Sequence, residues 1–223
     1  MGTVSPPVDY TLYLVTDRGL AAGRSFDDIV REGVEGGVTL VQLREKDLAV
    51  RDFVACAVAL RNLLGEYRVP LIVNDRVDVA LACGAAGVHL GQDDMDCSSA
   101  RRIVGRGLIV GVSVSCVEEA VKAEAQGADY LGVSPVFSTP TKTDTPPAVG
   151  LVGLRAIRTA VRLPLVAIGG IKAENAADVI RAGADGLAVV SAIMACPEPR
   201  IAARTLKAAI AEARARVRTA RIG

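Results

Sequence analysis

Residues 40–46, Leu-Val-Gln-Leu-Arg-Glu-Lys, alternate apolar and polar side chains and hold no helix breaker, the pattern of a short strand. Strand side chains alternate faces, so Gln42, Arg44 and Lys46 share one side while Val41, Leu43 and Glu45 share the other. An amide and two cations on one face of an apolar strand are costly to bury without a partner. Two arrangements would satisfy them: a charged edge strand facing solvent, or a strand end that opens on a pocket for an anion such as phosphate or pyrophosphate. The remaining polar groups bear on that choice. Asn74-Asp75, the run His89-Leu90-Gly91-Gln92-Asp93-Asp94, Ser113, the stretch 138–142, Gly169-Gly170 and Val190-Ser191 each end or follow an apolar run. Taken singly, each also reads as turn chemistry.

These residues divide by chemistry. Gly169-Gly170 and Val190-Ser191 would let backbone N–H groups approach a phosphate closely. Asp75 and Asp94 suit a hard divalent cation such as Mg²⁺, with water and phosphate oxygens completing its shell. Helix capping is the other use for those acids, and adjacent Asp93 leaves the choice of ligand open. Arg44, Lys46 and Lys142 supply positive charge for a second, more highly charged group. Two phosphorylated partners follow from this set, one of them a metal-bound pyrophosphate. The lone histidine, His89, reads as a hydrogen-bonded structural residue outside the catalytic set. No Ser–His–Asp motif is present, and no cysteine has a basic neighbour in sequence.

The elements that must position these groups repeat along the chain. Strands are expected over residues 11–17, 40–46, 70–75, 87–91, 108–114, 130–137, 163–168 and 187–191. Helices are expected between them, the first capped by Ser25 ahead of Asp27 and Asp28. The others lie at 51–67, up to Gly84, and at 98–104, 117–126, 151–161, 174–182 and 199–218. Glycine marks the helix-to-strand joins at Gly36-Gly37, Gly84, Gly127 and Gly183, where a left-handed residue can end a helix. Near-continuous apolar strands alternating with amphipathic helices imply a parallel sheet covered by helices. Eight such units favour closure into a (β/α)8 TIM barrel, an α/β single domain over residues 1–223 with a short Pro-containing leader at about residues 1–10. A doubly wound open sheet is the alternative. In a barrel the polar groups fall at the C-terminal strand ends, where barrel enzymes keep their active sites.

Composition narrows the function further. The 223 residues are 51% hydrophobic with few aromatics, so the core must be aliphatic. Charge balances at 26 basic against 25 acidic residues, which argues against nucleic-acid or membrane binding over the whole surface. Five widely spaced cysteines without a Cys-x-x-Cys pair read as reduced thiols rather than a disulfide or zinc framework. No signal-peptide pattern and no membrane-length apolar run stand out, so a soluble, cytoplasmic protein is expected. The basic segment holding Arg214, Arg216, Arg218 and Arg221 reads as a solvated helix end.

At these residues the chain resembles the thiamin phosphate synthase family. The matching pieces are Tyr13-Leu14-Val15-Thr16-Asp17, Gln42-Leu43-Arg44-Glu45-Lys46, Val73-Asn74-Asp75-Arg76 and His89-Leu90-Gly91-Gln92-Asp93-Asp94. Gly111-Val112-Ser113, Thr139-Pro140-Thr141-Lys142, Ile168-Gly169-Gly170-Ile171 and Val190-Ser191 follow in order. The resemblance implies a barrel that joins hydroxymethylpyrimidine pyrophosphate to thiazole phosphate and releases pyrophosphate. It implies that Gln42, Arg44, Lys46, Asn74, Ser113 and Lys142 bind the pyrimidine pyrophosphate, with Arg44, Lys46, Lys142 and Ser113 acting in catalysis. Asp75 and Asp94, the last acid of the Gly-Gln-x-Asp pattern, would hold Mg²⁺. Thr139, Thr141, Gly170, Val190 and Ser191 would bind the thiazole phosphate. Pyrophosphate would leave first, and the thiazole nitrogen would trap the resulting cation without a protein nucleophile. The polar 138–147 stretch is expected to close over the substrates as a lid. A related thiazole tautomerase would share the barrel and the thiazole-phosphate end but would not need Arg44, Lys46 and Lys142 with Asp75 and Asp94. Related sequences often carry histidine where this chain has Ser115, which disfavours a proton-shuttling tautomerase. A phosphate-ligand sensor without turnover is the third reading.

Overall fold

The computed structural model of the chain describes residues 8–138 and 147–222. The first quarter of the barrel holds β1 (Leu12–Val15), a 3-10 turn (Arg18–Ala21), α1 (Phe26–Glu35), β2 (Leu40–Leu43) and α2 (Val50–Glu66). β3 (Leu71–Asn74), α3 (Val77–Cys83), β4 (Gly87–Leu90) and α4 (Cys97–Val104) follow. The third quarter contains β5 (Ile109–Val114), α5 (Val117–Ala125), β6 (Tyr130–Val133) and α6 (Gly150–Ala160). The last has β7 (Leu165–Ala167), α7 (Ala173–Arg181), β8 (Gly186–Val189), the single turn α8 (Ser191–Met194) and α9 (Pro199–Ile222). All strand pairs are parallel, and β1 pairs with both β2 and β8. The sheet therefore closes in the order β1 to β8, which decides for the barrel and against an open sheet.

Alternation along each strand builds two cores. Leu12, Leu14, Val41, Leu43, Leu71 and Val73 face outward and pack with the helices. Tyr13, Val15, Leu40, Ile72, Tyr130, Val166 and Ala188 form a separate cluster inside the barrel. With both faces covered, a strand can be apolar throughout, so period-two alternation is visible only where an inward position is polar. Gln42 and Asn74 are such positions, and both are buried. Local signals act as expected at the joins. The Ser25 side chain accepts from Asp28 N and starts α1, while Gly84 takes φ +66° to end α3.

Several strands are shorter than their sequence patterns. β2 stops at Leu43 rather than residue 46, because the Thr16 hydroxyl accepts from Arg44 N (3.2 Å) after β1 has ended. β6 stops at Val133 rather than residue 137, since Pro135 has no N–H to extend the ladder. β8 stops at Val189, and Ser191, expected in the strand, begins α8 instead. The basic C-terminal segment is also not wholly solvated. Arg214 Nη1 donates to Thr11 Oγ1 (2.8 Å) and its Nη2 to Asp185 O, tying α9 to the bottom of the barrel. All five cysteines are unpaired thiols. Among the described residues, no helix is long and apolar enough to cross a membrane.

Candidate active site

The C-terminal ends of the strands surround a cavity of about 860 Å³. Gln42, Arg44, Asn74 and Ser113 line it from β2, β3 and β5, and Gly169, Gly170, Val190 and Ser191 line it from the β7 and β8 ends. Five of the polar or charged groups anticipated from sequence, together with Val190 and the glycine pair, thus share one mouth. Lys46, Asp75 and Asp94 stand together at its edge rather than in this lining. Lys46 Nζ pairs with Asp75 Oδ2 at 2.6 Å, and the Asp75 and Asp94 carboxyls lie within hydrogen-bonding reach of each other. Thr139, Thr141, Lys142 and the lid expected over 138–147 lie outside the described residues, save for Ser138 and Pro147 at its two ends.

Backbone geometry explains how the two acids meet. Asp75 follows β3 in a left-handed conformation, φ +62°, which aspartate tolerates better than most side chains. Its N–H donates to His89 O (2.8 Å). Asp94 is turned inward by a tight loop in which Oδ2 accepts from Gly91 N (2.7 Å). A Cβ on Gly91 would lie 2.9 Å from that oxygen, so glycine is what admits the carboxylate. Asp93 is exposed beside it and takes no part in the pair.

The pair is electrostatically uneven. Burial alone would raise the Asp75 pKa, but contacts with Asp94 and the Lys46 ammonium outweigh it and hold Asp75 below the usual carboxylate range. Asp94 is pushed up, first by burial and then by the neighbouring Asp75 carboxyl. Two adjacent carboxylates that resist joint ionisation are the natural place for a cation. Among the described residues no third His, Cys, Asp or Glu joins them in a metal-holding group. A donor set of two carboxylates fits Mg²⁺, which commonly takes one or two and leaves its remaining positions to water and phosphate oxygens.

Arg44 and the loop ends complete the mouth. Arg44 Nη1 lies 3.8 Å from Asp17 Oδ2, and Asp17 also receives Gly19 N (3.0 Å). Asp17 therefore aims Arg44, a role that its place after β1 did not reveal. Glu45, on the opposite face, accepts from Arg18 Nε (3.0 Å). Arg18 also reaches Cys56 Sγ (3.1 Å), a basic neighbour in space though not in sequence; burial still raises the Cys56 thiol pKa.

The β7–β8 side is shaped by backbone, with Lys172, Asn175 and Ser191 also in the lining. Gly169 has φ +102° and Gly170 φ +64°, both in the region that favours glycine. A Cβ on Gly170 would stand 2.8 Å from Phe137 Cβ and 3.0 Å from Ser138 O. Both glycines are thus required by the chain path, quite apart from any ligand. Val190 caps α8 with its N-terminus at the mouth, and Arg24 holds the other end of that turn through Met194 O (2.6 Å) and Cys196 O (2.5 Å).

Sequence reasoning missed the polar side chains inside the barrel. Tyr13 and Tyr130 are fully buried and hydrogen-bonded to each other (3.0 Å), and His89 bridges Tyr130 OH (2.8 Å) and Ser113 Oγ (2.9 Å). The hydrogen-bonded histidine matches expectation. Its partner Tyr130 was hidden because tyrosine within an apolar strand reads as core, whereas Ser113 was anticipated.

Comparisons with known proteins match this geometry. A sequence model of the family described as thiamine monophosphate synthase covers residues 12–193. A thiamine-phosphate synthase from Albidiferax ferrireducens is 56% identical over 196 residues, 88% of this chain and 90% of that protein. One from Chloroflexus aurantiacus is 54% identical over 203 residues, 91% of this chain and 94% of the relative. The solved structure of a thiamine phosphate pyrophosphorylase from Pyrococcus furiosus superposes with a TM-score of 0.84 at 43% identity, covering 92% of this chain and 98% of that one. The eight-stranded barrel at whose mouth these groups meet belongs to the thiamine monophosphate synthase family.

Proposed function

We propose that this barrel joins hydroxymethylpyrimidine pyrophosphate to thiazole phosphate, giving thiamin phosphate and pyrophosphate in thiamin biosynthesis. The observation that carries the reading is the pairing of Asp75 with Asp94 beside Lys46, at the edge of a mouth that Arg44 lines on one side and Gly169-Gly170 and Val190-Ser191 line on the other. A site for two phosphorylated substrates needs two anion-binding regions of this kind, close enough to present one substrate to the other.

In this reading Gln42, Asn74 and Ser113 hold the pyrimidine while Arg44, Lys46 and Lys142 meet its pyrophosphate. Asp75 and Asp94 would hold Mg²⁺, which when bound would supply further charge neutralisation to the departing pyrophosphate. Cations fixed before reaction stabilise negative charge as it develops, without reorganising during the step. The C–O bond to pyrophosphate breaks with its electron pair leaving on oxygen, and the thiazole nitrogen donates its lone pair to the exposed methylene carbon. Gly170, Val190, Ser191, Thr139 and Thr141 hold the thiazole phosphate so that this nitrogen faces the carbon. Exclusion of water by the 138–147 stretch would protect the cation from capture as the alcohol. The test is to incubate the purified chain with both substrates and Mg²⁺. Thiamin phosphate and pyrophosphate should appear in equal amounts; isomerisation of the thiazole alone, or binding without turnover, would overturn the proposal.

A further inference from the structure

Five side chains cross the barrel interior from β2 to β5. Gln42 Nε2 donates to Tyr13 OH (2.8 Å), and Tyr13 OH lies 3.0 Å from Tyr130 OH. Tyr130 OH is 2.8 Å from His89 Nδ1, and His89 Nε2 is 2.9 Å from Ser113 Oγ. All five line the cavity, with Gln42 and Ser113 at the two ends of the chain. The middle is closely packed. Tyr130 packs edge-on against Tyr13 and at 4.8 Å between ring centres against Tyr10 below. Room for the rings comes from two glycines: a Cβ on Gly111 would fall within the Tyr130 ring, and one on Gly132 would lie 2.9 Å from His89 Cε1.

The Gln42 amide, placed with Nε2 toward Tyr13, gives the chain a direction. Burial raises the pKa of both phenols, so each keeps its single hydrogen. Tyr13 oxygen receives the Gln42 N–H and passes its own hydrogen to Tyr130. Tyr130 in turn donates to His89 Nδ1. A neutral imidazole that accepts at Nδ1 carries its hydrogen on Nε2, where it donates to Ser113 Oγ. Ser113 is left with its own O–H to give, and Gln42 with its amide oxygen to accept. The opposite tautomer, or an imidazolium, would donate from Nδ1 to Tyr130. With Gln42 Nε2 facing it, Tyr13 would then accept from both Gln42 and Tyr130, and its own hydrogen would lose its acceptor; only turning the amide oxygen to Tyr13, which reverses every bond in the chain, would restore one. A buried hydroxyl without an acceptor is costly.

We infer that Tyr13, Tyr130 and His89 are positioning residues that hold His89 as its Nε2–H tautomer, fixing Ser113 as a donor and the Gln42 amide oxygen as an acceptor toward the pyrimidine substrate. This rests on the reading of Gln42 and Ser113 as pyrimidine-facing. An aminopyrimidine carries both ring-nitrogen acceptors and an amino donor, so a donor and an acceptor of fixed polarity would favour it over an analogue with those roles exchanged.

Nitrogen NMR of the full chain labelled in histidine tests the direction, and the single histidine makes assignment unambiguous. The substrate-free protein should show a protonated Nε2 and a bare Nδ1. An Nδ1–H tautomer or an imidazolium would overturn the inference. Tyr130→Phe removes the donor to Nδ1 and should turn the spectrum into a tautomer mixture. Its turnover should fall roughly tenfold, the loss of about one hydrogen bond's worth of orientation, with KM for thiazole phosphate unchanged. If Tyr130→Phe does not fold, Tyr13→Phe releases the Gln42 end of the chain: turnover should fall likewise, while Tyr130 still donates to Nδ1 and the Nε2–H tautomer persists. A folded variant with wild-type turnover and an unshifted tautomer would remove the positioning role while leaving the coupling reaction standing. Failure of the wild-type coupling assay would instead remove the reading of the site.

Discussion

The two rims of the barrel mouth are made of different material. From β2 to β5 the chain presents side chains: Gln42, Arg44, Asn74 and Ser113, with Lys46, Asp75 and Asp94 at the edge. From β6 to β8 it presents more backbone: Gly132 inside the barrel, Gly169-Gly170 after β7, and the Val190-Ser191 start of α8, with Ser138, Lys172 and Asn175 also in the lining. The difference follows from what each rim must do in the proposed reaction. A leaving pyrophosphate gains charge during the step, which rewards full charges and a metal. A phosphate that is only held keeps its charge throughout, and N–H groups fixed by the chain path can bind it together with a neutral donor such as the Ser191 hydroxyl. Changes on the first rim should therefore appear in turnover. Changes on the second should appear in binding or in stability.

The largest effect should come from Asp75→Asn. Asparagine also tolerates the left-handed backbone at φ +62°, so the fold should persist while the charge is lost. Turnover should fall by on the order of a hundredfold, with KM for thiazole phosphate nearly unchanged and the circular dichroism spectrum intact. A loss confined to KM would mean that the acid rim does not act on the leaving group.

Gly170→Val should break the second rim in another way. At φ +64° and 2.8 Å from Phe137 Cβ, the new side chain meets both backbone strain and a clash. The combined cost is about 3 kcal/mol, or roughly 10 °C in Tm for a chain of this size. Thermal melting measures it, and a Tm equal to wild type would show that the loop yields. Ser191→Ala leaves the backbone alone and isolates binding. Steady-state kinetics should show KM for thiazole phosphate raised roughly tenfold, with turnover at saturation unchanged. A fall in turnover instead would blur the contrast between the rims.

The smallest effect is expected from Asp93→Asn. Asp93 is exposed and outside the acid pair, so every kinetic constant should stay within about twofold, as at most surface positions. A larger loss here than in Asp94→Asn would reassign the pair.

The same contrast governs how much could be read from sequence. The eight-unit repeat was legible because buried apolar runs alternate with amphipathic helices and glycine joins. The side-chain rim was legible because Gln42, Arg44, Asn74 and Ser113 are conspicuous by type in apolar surroundings. The backbone rim was only partly so. Gly169 and Gly170 stand out, but their positive φ angles and contacts with residues 135–138 are properties of the closed barrel. α8 was invisible, since Val190-Ser191-Ala192-Ile193-Met194 continues the apolar run of β8 and nothing local announces the turn. The interior relay was harder still. Tyr13 and Tyr130 are 117 residues apart, and only closure of the sheet brings their hydroxyls together. Likewise the aiming of Arg44 by Asp17 depends on β1 ending beside β2, a matter of register rather than composition.

The account turns on the acid rim acting through a metal on the departing pyrophosphate, and one measurement addresses this directly. Formation of thiamin phosphate and pyrophosphate from the two substrates is followed in Mg²⁺, after chelation, and after Mg²⁺ is returned. Synthesis should stop in excess chelator and recover with the metal, while Asp75→Asn stays impaired at every Mg²⁺ concentration. Undiminished synthesis in excess chelator would contradict the account.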